Sequence, residues 1–473
     1  MPHSAPSSDV LRYVPIASDA SDAPAANRWG WVELFAVMQL LYGALLFVPG
    51  AQQYRVVVRS APYVASLAAL LVFLVRRHPR EPLSPSGKWL LASFALLAAN
   101  LLHAETRLQA GLAQIVFQVS IAAPMFWAAA MVHDQRRLTR LLWIICGAGF
   151  LNAALGVLQV YEPDRFLPPE FSALGRSLNP AFVETLSYSG PGGAQIVRPP
   201  GLTDLPGGAS VAGLLTVLIA VGYVSQERAS WLVKVFGAAA AAVGMTALYL
   251  TQVRSLTIVA AVGVVIFGLI RLRQGRVWQT AMLIAGGAGL VAASFVWAAS
   301  IGGKTVETRF LSIFESGLLV TFQENRGIFL DYTLRELLFK FPFGAGLGRW
   351  GMMQVYFPDP TMWHAPPIHV EIQITGWLLD GGFLMWVCYG GALLSAIRLA
   401  YRTAVGRSGE TLQFLAAVIL ALQLAIVTLC LSGPTFNTQL GVLFWTLTGA
   451  LYGVTRGCAR AEPRGAGDWA RLT

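Results

Sequence analysis

Residues 230–272 read SWLVKVFGAAAAAVGMTALYLTQVRSLTIVAAVGVVIFGLIRL, two apolar runs on either side of the polar segment 251–255. A transmembrane helix needs about 20 predominantly apolar residues. Both runs approach that length. Because lipid offers no hydrogen-bonding partner, a spanning segment of this kind satisfies its backbone groups by forming a helix. The stretch therefore predicts two transmembrane helices joined by a short polar connection.

The composition of the whole chain agrees with this local pattern. Of 473 residues, 55% are hydrophobic and only 12% are charged, and the mean hydropathy is +0.59. A soluble globular domain carries about 25% charged residues. So few charges cannot cover the surface of a soluble protein of this size. The composition also excludes a disordered chain, a collagen and a coiled coil, which leaves a membrane protein that crosses the bilayer many times.

Apolar runs of spanning or nearly spanning length recur along the chain. They cover residues 30–49, 61–75, 88–103, 109–132, 138–161, 209–225, 230–250, 255–272, 278–300, 374–400, 411–432 and 436–454. We therefore predict an all-α polytopic membrane protein with about 12 transmembrane helices.

The distribution of Lys and Arg predicts the orientation, because cytoplasmic connections collect these residues. Alternate connections hold Arg76, Arg77, Arg80, Lys88, Arg136, Arg137, Arg140, Arg228, Lys234, Arg271, Arg273, Arg276, Arg398, Arg402 and Arg407. The short connections on the other side hold only Arg55, Arg59, Arg107 and Arg254. Both termini are thus predicted to be cytoplasmic. Most of the net charge of +10 is explained by orientation, with no need for a nucleic acid partner.

The predicted organisation leaves two long outward segments, which we expect to form one cap over the bundle. The boundaries are a disordered cytoplasmic tail at 1–28, helices 1–5 at 29–161, a first long loop at 162–208, helices 6–9 at 209–300, a large loop at 301–373, helices 10–12 at 374–454 and a cytoplasmic tail at 455–473. Loops of such length are usually functional or disordered. The large loop contains an amphipathic stretch at 328–341, whose apolar residues include Phe329, Leu334 and Leu337 at helical spacing.

Positive charges in the outward segments run against the orientation bias, and an anionic substrate is one reason for them. Arg198 precedes the sixth apolar run, Arg254 lies between two apolar runs, and His369 precedes the tenth. Each residue also has a structural interpretation. Arg198 could pair with Asp204, Arg254 could extend its side chain to the bilayer surface, and His369 could make a structural hydrogen bond at the interface.

Taken together, these segments resemble the O-antigen ligase and Wzy-type polysaccharide polymerase superfamily of bacterial inner membranes. The resemblance covers about residues 190–390. Arg198-x-x-Gly201 followed by Pro206 is similar to the family's first arginine segment, and 251–255 is similar to its T-x-S-R-G segment. The stretch 342–348, PFGAGLG, resembles the P-x-x-G-x-G-x-G motif of the late loop. The segment from His369 to 380–382 resembles the family's histidine-to-E-x-G region.

The resemblance implies a metal-independent inverting glycosyltransferase without cofactor, with its outward loops in the periplasm of a bacterium. The donor would be a glycan on undecaprenyl diphosphate, with its lipid in the bilayer. Arg198 and Arg254 would bind the diphosphate, assisted by Arg326 or Arg349. His369 would be the general base that activates a hydroxyl of the glycan acceptor, with His364 as the rival base.

Two departures bear on which reaction the resemblance implies. Val370 stands where the family usually has Asn after His, and 253–255 reads Val-Arg-Ser in place of Ser-Arg-Gly. The departure at the histidine favours a polymerase of exopolysaccharide or O-antigen repeat units, whose partners would include a chain-length regulator and other assembly proteins. An O-antigen ligase that transfers glycan to lipid A-core or a protein is the alternative. A lipid-linked glycan transporter is the non-enzyme alternative.

Overall fold

The computed structural model describes residues 29–48, 50–76, 83–167, 187–203, 207–357 and 368–461. The predicted tail at 1–28 lies outside these residues, as do most of the predicted tail at 455–473, Asp204 and His364. Within them, each of the twelve predicted apolar runs falls on helical structure.

The helices and strands follow in chain order. The first part contains α1 (Trp31–Leu41), α2 (Arg55–Arg76), α3 (Pro85–Ala99), α4 (Leu108–Ala122), α5 (Pro124–Met131), α6 (Gln135–Tyr161), α7 (Pro163–Phe166), β1 (Ser187–Ser189), β2 (Gln195–Val197), α8 (Ala209–Val224), α9 (Trp231–Leu250), α10 (Arg254–Arg273) and α11 (Val277–Gly302). The second part contains α12 (Lys304–Ser316), α13 (Leu318–Phe322), α14 (Ile328–Tyr332), α15 (Leu338–Lys340), α16 (Gly351–Tyr356), α17 (Gln373–Val405), α18 (Glu410–Thr428) and α19 (Gln439–Ala461).

The protein is an all-α membrane protein by the length and apolar character of its helices. Within the described residues, eight helical segments are long and apolar enough to cross a membrane. They are Arg55–Arg76, Leu108–Met131, Gln135–Tyr161, Trp231–Leu250, Arg254–Arg273, Val277–Gly302, Gln373–Val405 and Glu410–Leu431. Two further apolar helical segments, Trp31–Phe47 and Ala209–Val224, are shorter. Twelve spans therefore remain a prediction.

The centre of the bundle is built around α8, whose residues are nearly all buried. This helix packs most extensively on α9 and α6. A Cβ added at Gly213 would lie 2.6 Å from the carbonyl oxygen of Gly244, so the backbones of α8 and α9 approach closely because both residues are glycine. By contrast, α2 and α11 bury little of their apolar surface and lie at the periphery.

The described parts of the two long loops touch each other. β1 and β2 pair antiparallel, with Tyr188 opposite Ile196. The Thr305 hydroxyl at the start of α12 donates to the carbonyl of Ser189 across 2.5 Å. This hydrogen bond joins the described parts of the two loops, and the shared periplasmic cap remains a prediction.

The amphipathic stretch at 328–341 is helical, but two π turns change which residues face inward. The π turns span Gln323–Gly327 and Thr333–Leu337. Thr333 and Leu337 are buried, whereas Leu334 is 44% exposed. Of the apolar residues at helical spacing, Leu337 therefore packs inward and Leu334 does not, in keeping with a wider π turn between them.

Candidate functional site

The backbone after Arg198 is held in a defined turn by two side chains of α6. The amide of Gln159 makes two hydrogen bonds with Gly201, of 2.8 Å from the Gly201 N–H and 2.9 Å to its carbonyl. Asn152 Oδ1 accepts from the Leu202 N–H at 2.9 Å. Gly201 has a φ of +63°, a conformation that glycine adopts without strain. The predicted arginine segment is therefore ordered on the bundle.

Arg254 is the first residue of α10 and follows a strained turn. Gln252 has a φ of +55°, and within the described residues it is the one non-glycine residue with positive φ. Its side chain is almost fully buried, and its amide nitrogen has no hydrogen-bond partner. Because α10 begins at Arg254, the positive end of the helix dipole lies at the same turn.

Helix α12 belongs to the large loop at 301–373, which we call the late loop. It contacts this turn through two hydrogen bonds. Arg309 donates from Nε to the carbonyl of Gln252 across 3.2 Å. In the other direction, Arg254 donates from Nη1 to the hydroxyl of Ser312 across 3.3 Å. The late loop therefore contributes a third arginine next to the two predicted from the sequence.

Arg198, Arg254 and Arg309 form what we call the arginine cluster. Burial lowers the pKa of Arg309, and the positive charges of Arg198 and Arg254 lower it further. Burial also lowers the pKa of Arg198, a shift that Tyr188 opposes. Arginine nevertheless stays protonated in proteins, so Arg309 lies near enough to Arg198 and Arg254 to be repelled by their charges.

The arginine cluster has no neutralising partner within the described part of the chain. None of its three guanidinium groups forms an ion pair with a carboxylate there. Asp204, the alternative partner of Arg198, lies outside the described residues. Arg198 Nε and the Tyr188 hydroxyl are buried and have no hydrogen-bond partner among the described residues. Buried polar groups normally find partners, so this arrangement suits an anion with several oxygen atoms.

The predicted base, His369, belongs to a second group of ionisable residues. Its Nε2 lies 2.7 Å from Glu371 Oε1, and the other oxygen of Glu371 is bound by Arg326. The His369 side chain is 74% exposed. Burial opposes the charged form of Glu371, but Arg326 and His369 together hold its pKa below the ordinary value. We call Arg326, Glu371 and His369 the histidine group. The rival base, His364, lies outside the described residues.

Arg349 is 8% exposed and lies in the packed base of the late loop. Its Nη1 donates to the carbonyl of Ala345 at 2.9 Å, and its own carbonyl accepts from the Ile368 N–H at 2.8 Å. Burial lowers the pKa of Arg349, and Glu105 opposes the shift. These contacts give Arg349 a place in loop packing, and its predicted role towards substrate remains a prediction.

The glycine-rich stretch 342–348 anchors the late loop to the bundle. Leu347 N–H donates to Thr106 Oγ1 at 2.9 Å, and Ala345 N–H donates to the carbonyl of Leu379 at 2.8 Å. Gly346 has a φ of +91°, and a Cβ there would lie 2.9 Å from the carbonyl carbon of Glu105. A side chain at this position would be strained and crowded, so the glycine is required for close approach.

Asp380 has a buried carboxylate and lies just before a break in α17. Trp350 Nε1 donates to one oxygen at 2.7 Å and Gln114 Nε2 donates to the other at 3.1 Å. Gly381 and Gly382 then leave helical geometry. The segment that resembles the family's E-x-G region therefore joins the late loop to the break in α17.

Among the described hydrogen bonds and ion pairs, none joins the arginine cluster to the histidine group. The C-terminal ends of α10 and α17 contact each other, since Arg273 Nη1 donates to the Tyr401 hydroxyl across 2.5 Å and Gln274 Nε2 donates to the carbonyl of Ala404 at 2.8 Å. That the two groups share the opposite end of the bundle is a prediction of the sequence topology.

Comparison with known proteins adds no assignment. No family model matches the chain, and no curated protein matches it. The resemblance described above therefore depends on the quoted residues alone. Arg309 and Glu371 are polar residues of the large loop that nothing in their spacing distinguishes from their neighbours, and only the folded chain reveals their partners.

Proposed function

We propose that this protein transfers a glycan from undecaprenyl diphosphate to a sugar hydroxyl of an acceptor glycan, as a polysaccharide polymerase. One observation carries the proposal: Arg198, Arg254 and Arg309 converge from three distant segments with no carboxylate partner among the described residues. Guanidinium groups match the oxygen atoms of phosphates in geometry and charge.

The arginine cluster would act on the leaving group. As the bond between the anomeric carbon and the phosphate oxygen breaks, the electron pair goes to the diphosphate. Positive charge fixed in advance at that position stabilises the transition state without reorganisation. Arg198 and Arg254 are the main diphosphate ligands that the family resemblance implies, and Arg309 supplies a further charge from α12.

His369 would act on the nucleophile. The acceptor hydroxyl attacks the anomeric carbon while its proton passes to the imidazole, and Glu371 orients the ring from the other nitrogen. A single displacement of this kind inverts the anomeric carbon. The large exposed fraction of His369 leaves room for an acceptor sugar beside it.

The test is an assay of purified protein in lipid nanodiscs with an undecaprenyl-diphosphate oligosaccharide. We expect longer lipid-linked glycans from the wild type and none from His369→Ala or Arg254→Ala. Arg335→Ala is the matched control, because Arg335 lies on the same loop but is exposed and paired with Asp331. Full polymer from either site variant would contradict the site. Transfer only to lipid A-core would indicate a ligase, and no covalent change would indicate a transporter.

A further inference from the structure

Arg326 and His369 bind opposite oxygen atoms of one carboxylate. Arg326 Nη1 binds Glu371 Oε2, and His369 Nε2 lies 2.7 Å from Glu371 Oε1. We propose that Arg326 is a positioning residue that acts on His369 through Glu371, and that it does not bind the donor diphosphate. This inference rests on the proposed function, in which His369 accepts the acceptor's proton.

The geometry leaves the imidazole with a free nitrogen for the reaction. When Nε2 carries a proton, it donates to the ionised Glu371, and Nδ1 keeps its lone pair. An unrestrained carboxylate could rotate and release the ring. Arg326 prevents this rotation by binding the other oxygen of the carboxylate. Phe329, which follows Arg326 in the same helical segment, places its ring centroid 6.2 Å from that of the imidazole.

The helical run that carries Arg326 is docked on the start of α17 at a second point. Arg326 lies within the first π turn, and Thr333 begins the second. The Thr333 and Thr375 hydroxyl groups are buried and lie 2.5 Å apart. The two π turns therefore direct one charged and one polar side chain to the same short segment, residues 371–375, and π turns often mark functional positions.

The backbone around Glu371 is held by contacts that do not involve Arg326. On one side, Ile368 N–H donates to the Arg349 carbonyl at 2.8 Å. On the other, Gln373 N–H donates to the Gly433 carbonyl at 3.2 Å, and Gln373 Oε1 accepts from the Phe436 N–H at 2.9 Å. Substitution of Arg326 should therefore leave the backbone around Glu371 in place and remove only one hydrogen-bonding partner of the Glu371 carboxylate.

The experiment measures kcat and the donor KM of polymerisation for wild type, Arg326→Gln, Arg326→Lys and Glu371→Gln. We expect Arg326→Gln and Glu371→Gln each to lower kcat by about 10-fold, because the imidazole loses its fixed orientation. The KM for the donor should stay nearly constant in both variants, and Arg326→Lys should restore most of the wild-type kcat.

Two results would overturn the inference. An unchanged kcat in both neutral variants would show that the carboxylate does not act on the base. A rise in donor KM with an unchanged kcat would instead make Arg326 a diphosphate ligand. His369→Ala separates this inference from the proposed function. Full activity in that variant removes the function, whereas an inactive His369→Ala with an unchanged kcat in Arg326→Gln and Glu371→Gln removes only the role of Arg326. If Arg326→Gln fails to fold, Arg326→Lys and Glu371→Gln still give the comparison.

Discussion

The Nε of Arg309 lies 3.2 Å from the carbonyl oxygen of Gln252, so a helix of the late loop closes over the turn that leads into α10. This hydrogen bond uses one nitrogen of the guanidinium group and leaves the other two for a ligand. It also explains how Arg309 joins Arg198 and Arg254, although the three residues come from separate parts of the chain.

Loss of Arg309 should destabilise the transition state of the proposed glycan transfer. We expect Arg309→Gln to lower kcat/KM for the donor by about 100-fold, because removing one preorganised charged donor typically has an effect of that size. Initial rates at several donor concentrations measure the change. The same substitution at Arg335, an exposed arginine of the same loop, should leave the rate unchanged.

Binding can be followed without turnover. Inorganic pyrophosphate should raise the midpoint of thermal unfolding of the wild type, because a ligand that binds only the folded state stabilises it. The rise should be much smaller in Arg309→Gln. An equal rise in both proteins would show that Arg309 does not contact the diphosphate.

The turn at Gln252 separates a backbone effect from a side-chain effect. Gln252→Ala and Gln252→Gly both remove the unpartnered buried amide, but only glycine relieves the positive φ. We expect the glycine variant to be more stable than the alanine variant by about 1 kcal/mol. Thermal unfolding in nanodiscs measures this difference. The side-chain amide has no partner among the described residues and lies at the turn beside Arg254, so we expect it to contact the substrate. Both variants should then lose activity to a similar extent, whereas activity that follows stability would mean that the amide does not contact the substrate.

The carboxylate of Asp380 should matter for stability through its two donors. Asp380→Ala leaves Trp350 Nε1 and Gln114 Nε2 buried without an acceptor, which costs about 2 kcal/mol. Asp380→Asn keeps an acceptor for Trp350, and the Gln114 amide can rotate to accept from the new NH2 group. We therefore expect the asparagine variant to lose less than half as much stability. Equal losses, measured by thermal unfolding, would show that the charge itself is needed.

Much of the helical content follows from local sequence, because spanning length and apolar character are properties of consecutive residues. Each predicted run falls on helical structure for this reason. The π turns of the loop helix were not predicted, because helical spacing of apolar residues does not distinguish an α turn from a π turn. The contact of Thr333 with Thr375 could not be predicted either, because it joins residues far apart in sequence.

The site was predictable only in part. Arg198 and Arg254 could be selected because each is a charge beside apolar runs, and the structure brings both to the same cluster. Arg309 could not be selected, since its position depends on how α12 folds back on the turn at Gln252. For Arg326, the sequence offered no way to foresee that Glu371 is its partner.

The assembly of the arginine cluster from three segments has a consequence for biogenesis. Arg198 and Arg254 emerge from the ribosome before Arg309, and α12 must fold back on the turn at Gln252 before the cluster is complete. A nascent chain that ends after α11 thus contains two of the three guanidinium groups. Under the proposed function, full affinity for a lipid-linked glycan would appear only after α12 has been made and has closed on Gln252.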